Sequence, residues 1–312
     1  MASFAPASGF AASQRARQTA NFVLFLGPAL VLLALFFVLP VIVDITIAFT
    51  DMGQTLRVSE FTTKNFERML GGDRRLSAAL GLTLIYVFCT LAVFNVTFGL
   101  VLALTTTAIP DRVGSFFRAV WLLPRMSPSV VYALLWAWVV DPTERGLLNQ
   151  FINGAFGFEV YDMMNDHPLM LIVLANGFIG ASMGMIIFTS AIRSIPEHLF
   201  YAARADGAGG LHIVWHVILP AIRWPLSFIT VYQTLSLLVS FEYIWLITNG
   251  GPFFDTTVYA LYVYQRAFEN GQYAYGAALA LVLVVIGIAA ALLMWRFMDM
   301  KRLLQQPRIE VQ

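Results

Sequence analysis

Charged residues and cysteines are scarce in this chain of 312 residues. Only 12% of the residues are Asp, Glu, Lys or Arg, whereas soluble domains hold about 25%. The net charge of +1 gives no indication of a nucleic-acid partner. The single cysteine, Cys89, lies inside an apolar run, which excludes an internal disulfide and a cysteine metal site.

Recognisable catalytic motifs are also missing. Neither of the two lysines, Lys64 and Lys301, belongs to a GxxxxGK[ST] phosphate loop, so we expect no P-loop hydrolysis of ATP by this chain. The absence of an HExxH or comparable set disfavours a membrane-embedded enzyme. His212 and His216 share a helix face, but no acidic or cysteine ligand lies near them in sequence, so no metal site is expected. The sequence predicts neither a catalytic residue nor a cofactor on this chain.

Hydrophobic residues, in contrast, are abundant and come in long runs. They make up 59% of the chain, and the mean hydropathy is +0.75. A helix of roughly 20 apolar residues crosses a hydrocarbon core of about 30 Å. The sequence therefore predicts an all-helical protein embedded in a lipid bilayer with about six spans. The predicted spans are 22–43, 79–106, 117–140, 168–191, 225–248 and 276–298.

The predicted organisation is one membrane domain, 22–298, with its core at about 75–298, between an N-terminal tail, 1–21, and a C-terminal tail, 299–312. With the N-terminus inside, eleven of the 19 basic residues lie on the cytoplasmic side, seven lie outside and Arg125 lies on neither side. Because basic residues favour the cytoplasmic side, we expect both termini there. The first outer loop opposes this bias, since it carries five of the seven outer basic residues.

The connection between predicted spans 4 and 5, residues 192–224, is patterned as a helical hairpin. Ser194-Ile195-Pro196-Glu197 fits a capping box that starts a short helix, with Leu199, Phe200 and Ala203 on one face. Glycines at 207, 209 and 210 end that helix. A second helix follows, with Leu211, Val214, Trp215 and Ile218 in a helical stripe. Such a hairpin either docks in a groove of a partner protein or lies on the lipid headgroups.

The hairpin resembles the EAA motif of permeases from binding-protein-dependent ABC importers. The resemblance lies in Tyr201-Ala202-Ala203-Arg204-Ala205-Asp206-Gly207-Ala208 and in Ile218-Leu219-Pro220. Tyr201 stands where that family usually has Glu. The resemblance implies a type I importer permease fold and a coupling helix seated in a cleft of an ATPase subunit. The coupling residues that it implies are Glu197, Leu199, Phe200, Tyr201, Ala202, Ala203, Asp206, Gly207, Ala208, Leu219 and Pro220.

Other stretches are similar to the carbohydrate branch of that family, the larger subunit of maltose, glycerol-phosphate and lactose permeases. They include the start from Gly27-Pro28-Ala29, then Lys64-Asn65-Phe66, and Asn249-Gly250-Gly251-Pro252 followed by Thr256-Thr257. The resemblance implies half of a sugar pathway in a bacterial inner membrane. It also implies a second permease subunit, two copies of an ATPase that binds ATP and Mg, and a periplasmic substrate-binding protein.

Polar groups inside the spans are the candidates for contact with the transported solute. Arg125 and Glu242 are ionisable, and such groups usually face a cavity. Alternatively, Arg125 snorkels to the interface and Glu242 makes a structural pair. Sugars need aromatic faces and fixed amides, which favours Tyr132, Trp136, Asn176, Tyr232, Gln233 and Asn249, although such aromatics more often pack against lipid or protein. The Asn-Gly-Gly-Pro stretch is either pathway backbone or a bare extracellular turn.

A second class of function is an ion-coupled secondary transporter of a small polar solute. Such a protein is expected to show an inverted repeat, with helices broken at matching places in its two halves. The sequence shows no internal symmetry of this kind. We therefore favour the importer permease over the secondary transporter.

Overall fold

The computed structural model describes residues 23–157 and 160–297, and its regular elements there are helices. The only strand-like pairing within these ranges is an isolated antiparallel bridge between Thr50 and Phe61. The prediction of an all-helical fold is confirmed, while the predicted tails, 1–21 and 299–312, lie outside the described residues. In chain order, the helices are α1 Val23–Ala48, α2 Lys64–Leu70, α3 Arg74–Ala108, α4 Asp111–Met126, α5 Ser129–Val139, α6 Leu147–Phe156, α7 Met163–Asp166, α8 Pro168–Arg193, α9 Glu197–Ala205, α10 Gly210–Ala221, α11 Arg223–Val239, α12 Glu242–Thr248, α13 259–269 and α14 Tyr273–Phe297.

Four of the described helices, α1, α3, α8 and α14, are long and apolar enough to cross a bilayer unaided. A fifth candidate span is the pair α10 and α11, which meet at a bend of 71°. Six continuous spans are not present among the described residues. The difference arises because predicted spans 3 and 5 are each divided into two helices in series.

The break in predicted span 3 follows from its prolines. Helix α4 passes through Pro124 and ends at Met126, Ser127 is extended with ψ 145°, and α5 starts after Pro128. Proline lacks an N–H and disfavours a helical residue before it, so Pro128 divides the span. In predicted span 5 no proline marks the division: α11 ends at Val239, and Ser240 is extended before α12 begins.

Helix α8 forms the core of the described structure, and 67% of its most apolar stretch is buried. It packs against α3 where that helix widens into π-type turns over Thr90–Phe98. An added Cβ at Gly177 would lie 2.3 Å from the Phe94 ring, and one at Gly184 would lie 2.3 Å from the backbone oxygen of Asn95. The backbones of α3 and α8 therefore approach to a distance that only glycine permits. Gly177 and Gly184 thus serve the packing of α8 on α3.

Helix α1 lies at the periphery, since none of its most apolar stretch is buried within this chain. Phe36 and Phe37 are 69% and 71% exposed, as expected of a helix that is apolar on all sides and faces lipid or another membrane protein. Its second half packs against α14, where Ala48 is buried with Ala277 and Ala278, and its end is held by hydrogen bonds. Asn65 Nδ2 donates to the carbonyl oxygens of Ala48 and Thr50 at 3.0 and 2.8 Å, so Asn65 caps α1 through the outer loop.

Candidate functional site

Helices α9 and α10 form the predicted hairpin, and its inner side is built into the membrane domain. Ile195, Ile213, Ile218 and Ile222 are all buried in one cluster. This cluster also contains residues from α3, the end of α8 and the start of α11, among them the fully buried Phe188. The hairpin and the ends of three span-forming helices are therefore one close-packed unit.

The outer side of the hairpin exposes apolar side chains. Leu211 is 80% exposed, Trp215 66%, Tyr201 61% and Leu199 41%. The predicted stripe on α10 is thus divided, since Ile218 points into the core cluster while Leu211 and Trp215 point outward. Exposed apolar surface of this kind commonly marks a site of protein or membrane contact.

The predicted face of α9 also needs correction. Phe200 and Ala203 are half-buried against the core cluster, as expected, but Leu199 points outward. The capping box is absent as well. The Ser194 hydroxyl donates to the Ala191 carbonyl at 2.8 Å at the end of α8, and Pro196 occupies the N-cap of α9 without a side-chain hydrogen bond. Proline fits there because first-turn positions need no N–H partner, so the helix starts without Ser194.

The turn of the hairpin depends on Gly207, whose φ of +78° is in the left-handed region. Its N–H donates to the Arg204 carbonyl at 3.0 Å, and the Ala208 N–H reaches the Ala203 carbonyl at 2.9 Å. This is a glycine-dependent helix end that satisfies the last carbonyls of α9. A side chain at Gly207 would meet no neighbour, so the requirement is conformational rather than steric.

The remaining predicted coupling residues lie around this turn. Glu197 accepts a hydrogen bond from the Tyr201 hydroxyl at 3.4 Å, so the residue that replaces the usual Glu of the EAA motif contacts a carboxylate within its own helix. Ala202, Asp206 and Pro220 are exposed, whereas Ala208 and Leu219 are half-buried in the core cluster. Pro225 lacks an N–H, and in a continuous helix its ring would clash with the Ala221 carbonyl, which accounts for the bend between α10 and α11.

Three of the predicted pathway residues are buried and hydrogen-bonded to other helices. The Tyr132 hydroxyl donates to the Ala175 carbonyl at 2.7 Å, and Gln233 Nε2 donates to the Gly180 carbonyl at 3.1 Å. Asn176 Nδ2 donates to the Tyr86 hydroxyl at 2.6 Å and to Ser240 Oγ at 3.0 Å. These side chains join α3, α5, α11 and the break after α11 to α8. Their contact with a solute stays a prediction.

The two ionisable candidates lie at the two helix breaks, and the structure brings these breaks together. Glu242 starts α12 and accepts a hydrogen bond from Ser129, which starts α5. Arg125 is the second-last residue of α4, two positions before the extended Ser127 of the other break. The rings of Tyr132 and Tyr243 meet edge to face at 5.5 Å. We call Ser129, Tyr132, Glu242 and Tyr243 the break junction.

Sequence reasoning missed Ser129 and Tyr243, because neither has a motif, and Glu242 and Tyr132, which they contact, are more than 100 residues away along the chain. The other predicted aromatic residues occupy ordinary packing positions. Trp136 is half-buried beside Tyr132, and Tyr232 is 44% exposed and stacked on Phe228. They stay candidates for solute contact.

The Asn-Gly-Gly-Pro stretch ends α12 and is held by the threonines that follow it. Asn249 and Gly250 have φ of +49° and +83°. The hydroxyls of Thr256 and Thr257 donate to the carbonyls of Gly251 and Gly250 at 2.7 and 3.0 Å. Because buried backbone carbonyls need hydrogen-bond donors, the hydroxyls of the two threonines stabilise the turn.

His212 and His216 stack at 3.9 Å between ring centroids on the hairpin. Among the described residues, no group of three or more His, Cys, Asp or Glu side chains is placed to hold a metal ion.

The fold and the inward-built hairpin define an integral membrane transport permease. The model of one protein family, described as the binding-protein-dependent transport system inner membrane component, matches residues 95–298. The chain belongs to this family. The match confirms the resemblance to ABC importer permeases that the hairpin motif indicated.

Individual relatives agree with the family. The chain is 31% identical to a probable ABC transporter permease of Pyrococcus horikoshii over 90% of this chain and 97% of that protein. It is 29% identical to the multiple sugar-binding transport system permease of Streptococcus mutans, over 86% and 92% of the two chains. In fold, it is similar to a chain of a bacterial ABC transporter involved in the import of the acidic polysaccharide alginate. That match has a TM-score of 0.78 and 21% identity, and it covers 92% of this chain and 99% of the other.

Proposed function

We propose that this permease forms half of the translocation pathway of an ATP-driven importer for a sugar or sugar derivative. A second permease subunit completes the pathway, a periplasmic substrate-binding protein delivers the solute, and two copies of a separate ATPase bind ATP and Mg. This chain carries no cofactor of its own. The observation that carries the proposal is the two-sided hairpin, whose inner side is packed into the membrane domain while its outer side is apolar and exposed.

Coupling follows from the packing of the hairpin. When the ATPase subunits close on ATP, they displace the outer side of α9 and α10, which carries Leu199, Tyr201, Leu211 and Trp215. The buried isoleucines pass this displacement to α3, α8 and α11. Since α11 and α12 are separate helices, the side chains of the break junction shift relative to α8. ATP hydrolysis restores the starting arrangement.

The sugar class rests on the pathway residues and on the relatives. The break junction offers a hydroxyl, a carboxylate and two tyrosine rings near one another, which suits hydrogen bonding and stacking with a saccharide. Tyr232 adds a further exposed ring. The name of the Streptococcus mutans relative refers to sugars, and that of the structural neighbour refers to a polysaccharide.

The proposed setting is a bacterial inner membrane with both termini in the cytoplasm. This orientation puts the hairpin on the side where ATP is available. It also agrees with the eleven basic residues in the cytoplasmic segments, against seven outside.

Purification of the complex in mild detergent tests the proposal, with identification of the chains that accompany the permease. We expect a P-loop ATPase and a second permease. Gly207→Val should lose the ATPase, because valine does not tolerate a φ of +78°. Gly209→Val is the matched control, since both sites are open but Gly209 has φ −72° and ψ 166°, which valine adopts readily. A solitary chain that transports solute without an ATPase would contradict the proposal.

The side of the membrane on which the hairpin lies is tested by labelling. With Cys89→Ser to remove the native thiol, Ala208→Cys should resist a membrane-impermeant thiol reagent in intact cells and react in inverted vesicles. Labelling from outside intact cells would place the hairpin on the wrong side and refute the coupling scheme.

A further inference from the structure

Four arginines gather at the end of the molecule opposite the hairpin. Arg68, Arg74, Arg75 and Arg266 line two adjoining clefts, of about 360 and 530 Å³, which share Arg75 and Arg266. We call these four residues the arginine cluster. Three of them belong to the first outer loop and the start of α3, the region that opposed the orientation predicted from basic residues.

Aromatic rings hold three of these guanidinium groups in place. Such cation–π contacts orient the group through its face and leave its N–H edges to make hydrogen bonds, as Arg68 does to Gln272 Oε1 at 3.2 Å. The contacts are Arg68 on Tyr275 at 4.1 Å, Arg75 on Phe254 at 4.6 Å and Arg266 on Tyr262 at 4.9 Å, measured to the ring centroids. The cluster is therefore a pre-oriented surface rather than four independent long side chains.

The cluster is not neutralised within the described part of the chain. The ion pairs found there, Lys64–Glu60 and Arg193–Asp111, do not involve it. Asp73 lies among the arginines, but its carboxylate accepts hydrogen bonds from two tyrosine hydroxyls and from two backbone N–H groups at the start of α3. Glu269 lines one of the clefts without forming an ion pair with any of the four.

Folding gains little from this arrangement. Arg74 and Arg75 are the first two residues of α3, where the helix dipole is positive and cations are unfavourable. They also lie next to like charges in the shared clefts. A surface that costs stability and is kept oriented indicates an anionic partner outside the chain.

We propose that the arginine cluster binds an acidic surface of the substrate-binding protein. This inference rests on the proposed function, which places the cluster on the outer side. The clefts are open and extend over α2, α3, α13 and the loop that follows α12, which suits a protein surface. Beside Arg75, Phe253 is 95% exposed and projects from a loop in which Phe253 and Phe254 have φ of +45° and +75°. Arginine next to exposed aromatic rings is the composition of the central part of protein interfaces.

The test measures docking of the separately purified substrate-binding protein to the whole transporter in nanodiscs of zwitterionic lipid. For the double variant Arg75→Glu and Arg266→Glu we expect docking about tenfold weaker or worse, because the variant sets like charges against the partner. Arg57→Glu is the matched control, since Arg57 lies in the same outer loop but lines neither cleft. Docking of the unchanged transporter should also weaken between about 0.1 M and about 1 M NaCl, where the Debye length falls from about 10 to about 3 Å.

A second arm uses a fluorescent peptide of glutamates on this permease alone in the same nanodiscs. If the unchanged permease binds the peptide and the double variant does not, the cluster is supported as an anion-binding surface even when no ATPase co-purifies. A failure of the proposed function is thereby distinguished from a failure of this inference. Three outcomes overturn the inference. The first is equal docking of the variant and the control. The second is an effect that appears only when the nanodiscs contain anionic lipid, which would indicate a lipid site. The third is unchanged docking with weaker uptake of an acidic saccharide, which would indicate a substrate site.

Discussion

The contact between α3 and α8 makes the sharpest prediction about stability. An added Cβ at Gly180 would lie 2.0 Å from Asn95 Oδ1, and the three nearest atoms all belong to the Asn95 side chain. At Gly184 the obstacle is instead the Asn95 backbone oxygen, at 2.3 Å. At Gly287 in α14 nothing lies within 4 Å. The same substitution, Gly→Ala, therefore meets a side chain at Gly180, a backbone at Gly184 and open space at Gly287.

The expected magnitudes follow from these contacts. Overpacking a close-packed interior costs about 1–3 kcal/mol, and Gly184→Ala should lie at the upper end because a backbone cannot rotate away. Gly180→Ala should cost less. Gly287→Ala should gain up to about 1 kcal/mol, since alanine favours the helix. Asn95→Ala should restore most of the loss at Gly180 and none at Gly184. It also removes a buried amide that has no hydrogen-bond partner among the described residues.

Titration with SDS, followed by tryptophan fluorescence, measures these free energies of unfolding on the purified permease. From the highest free energy of unfolding to the lowest, the expected order is Gly287→Ala, the unchanged chain, Gly180→Ala and Gly184→Ala. Equal effects at Gly180 and Gly287, or rescue of Gly184→Ala by Asn95→Ala, would refute the claim that the α3–α8 contact sets the stability of the core.

Three further predictions concern Asp73 in the outer loop, the Asn-Gly-Gly-Pro stretch and the hairpin. Two tyrosine hydroxyls and two backbone N–H groups outweigh desolvation and hold the pKa of Asp73 below its ordinary value of 3.8. The stabilising effect of the Asp73 carboxylate should therefore be complete above pH 3.8 and be lost as the pH falls through the lowered pKa. Asp73→Ala should cost about 1–2 kcal/mol at pH 7 and remove this acid sensitivity in unfolding titrations. Thr256→Val leaves the Gly251 carbonyl without its donor and should cost about 1–3 kcal/mol, whereas Thr234→Val, whose hydroxyl donates only within its own helix, should change unfolding by less than about 1 kcal/mol. Trp215→Ala should lower ATPase-coupled uptake without changing the unfolding free energy, because its ring is 66% exposed in the permease alone; a large loss of stability would show that the ring belongs to the core.

Much of the fold was predictable because helical periodicity and apolar run length are local properties of the chain. The breaks were only partly predictable. Pro128 indicates the first break, because proline disfavours a helical conformation in the residue before it. Pro124, four residues earlier, does not end α4. The break at Ser240 has no local signal. It is accommodated because Asn176 of α8 donates to Ser240 Oγ, a contact that exists only in the folded chain.

The hairpin shows the same limit at the level of single residues. Its position, its glycine turn and its apolar character are visible in the sequence. Which of its residues face inward is decided by the surface it packs on, so Ile218 is buried while Trp215 is exposed. The predicted capping box failed because Ser194 has a nearer acceptor at the end of α8.

The sequence by itself determined that this is a helical membrane protein with a patterned hairpin, because run length and helical spacing are read along one segment. Only the tertiary structure decided which distant groups meet. Ser129 reaches Glu242 across 113 residues, and Arg75 shares a cleft with Arg266. These contacts depend on how the helices cross, and the crossing is set by close contacts such as that of Gly184 with Asn95, a pairing of distant residues that no local pattern encodes.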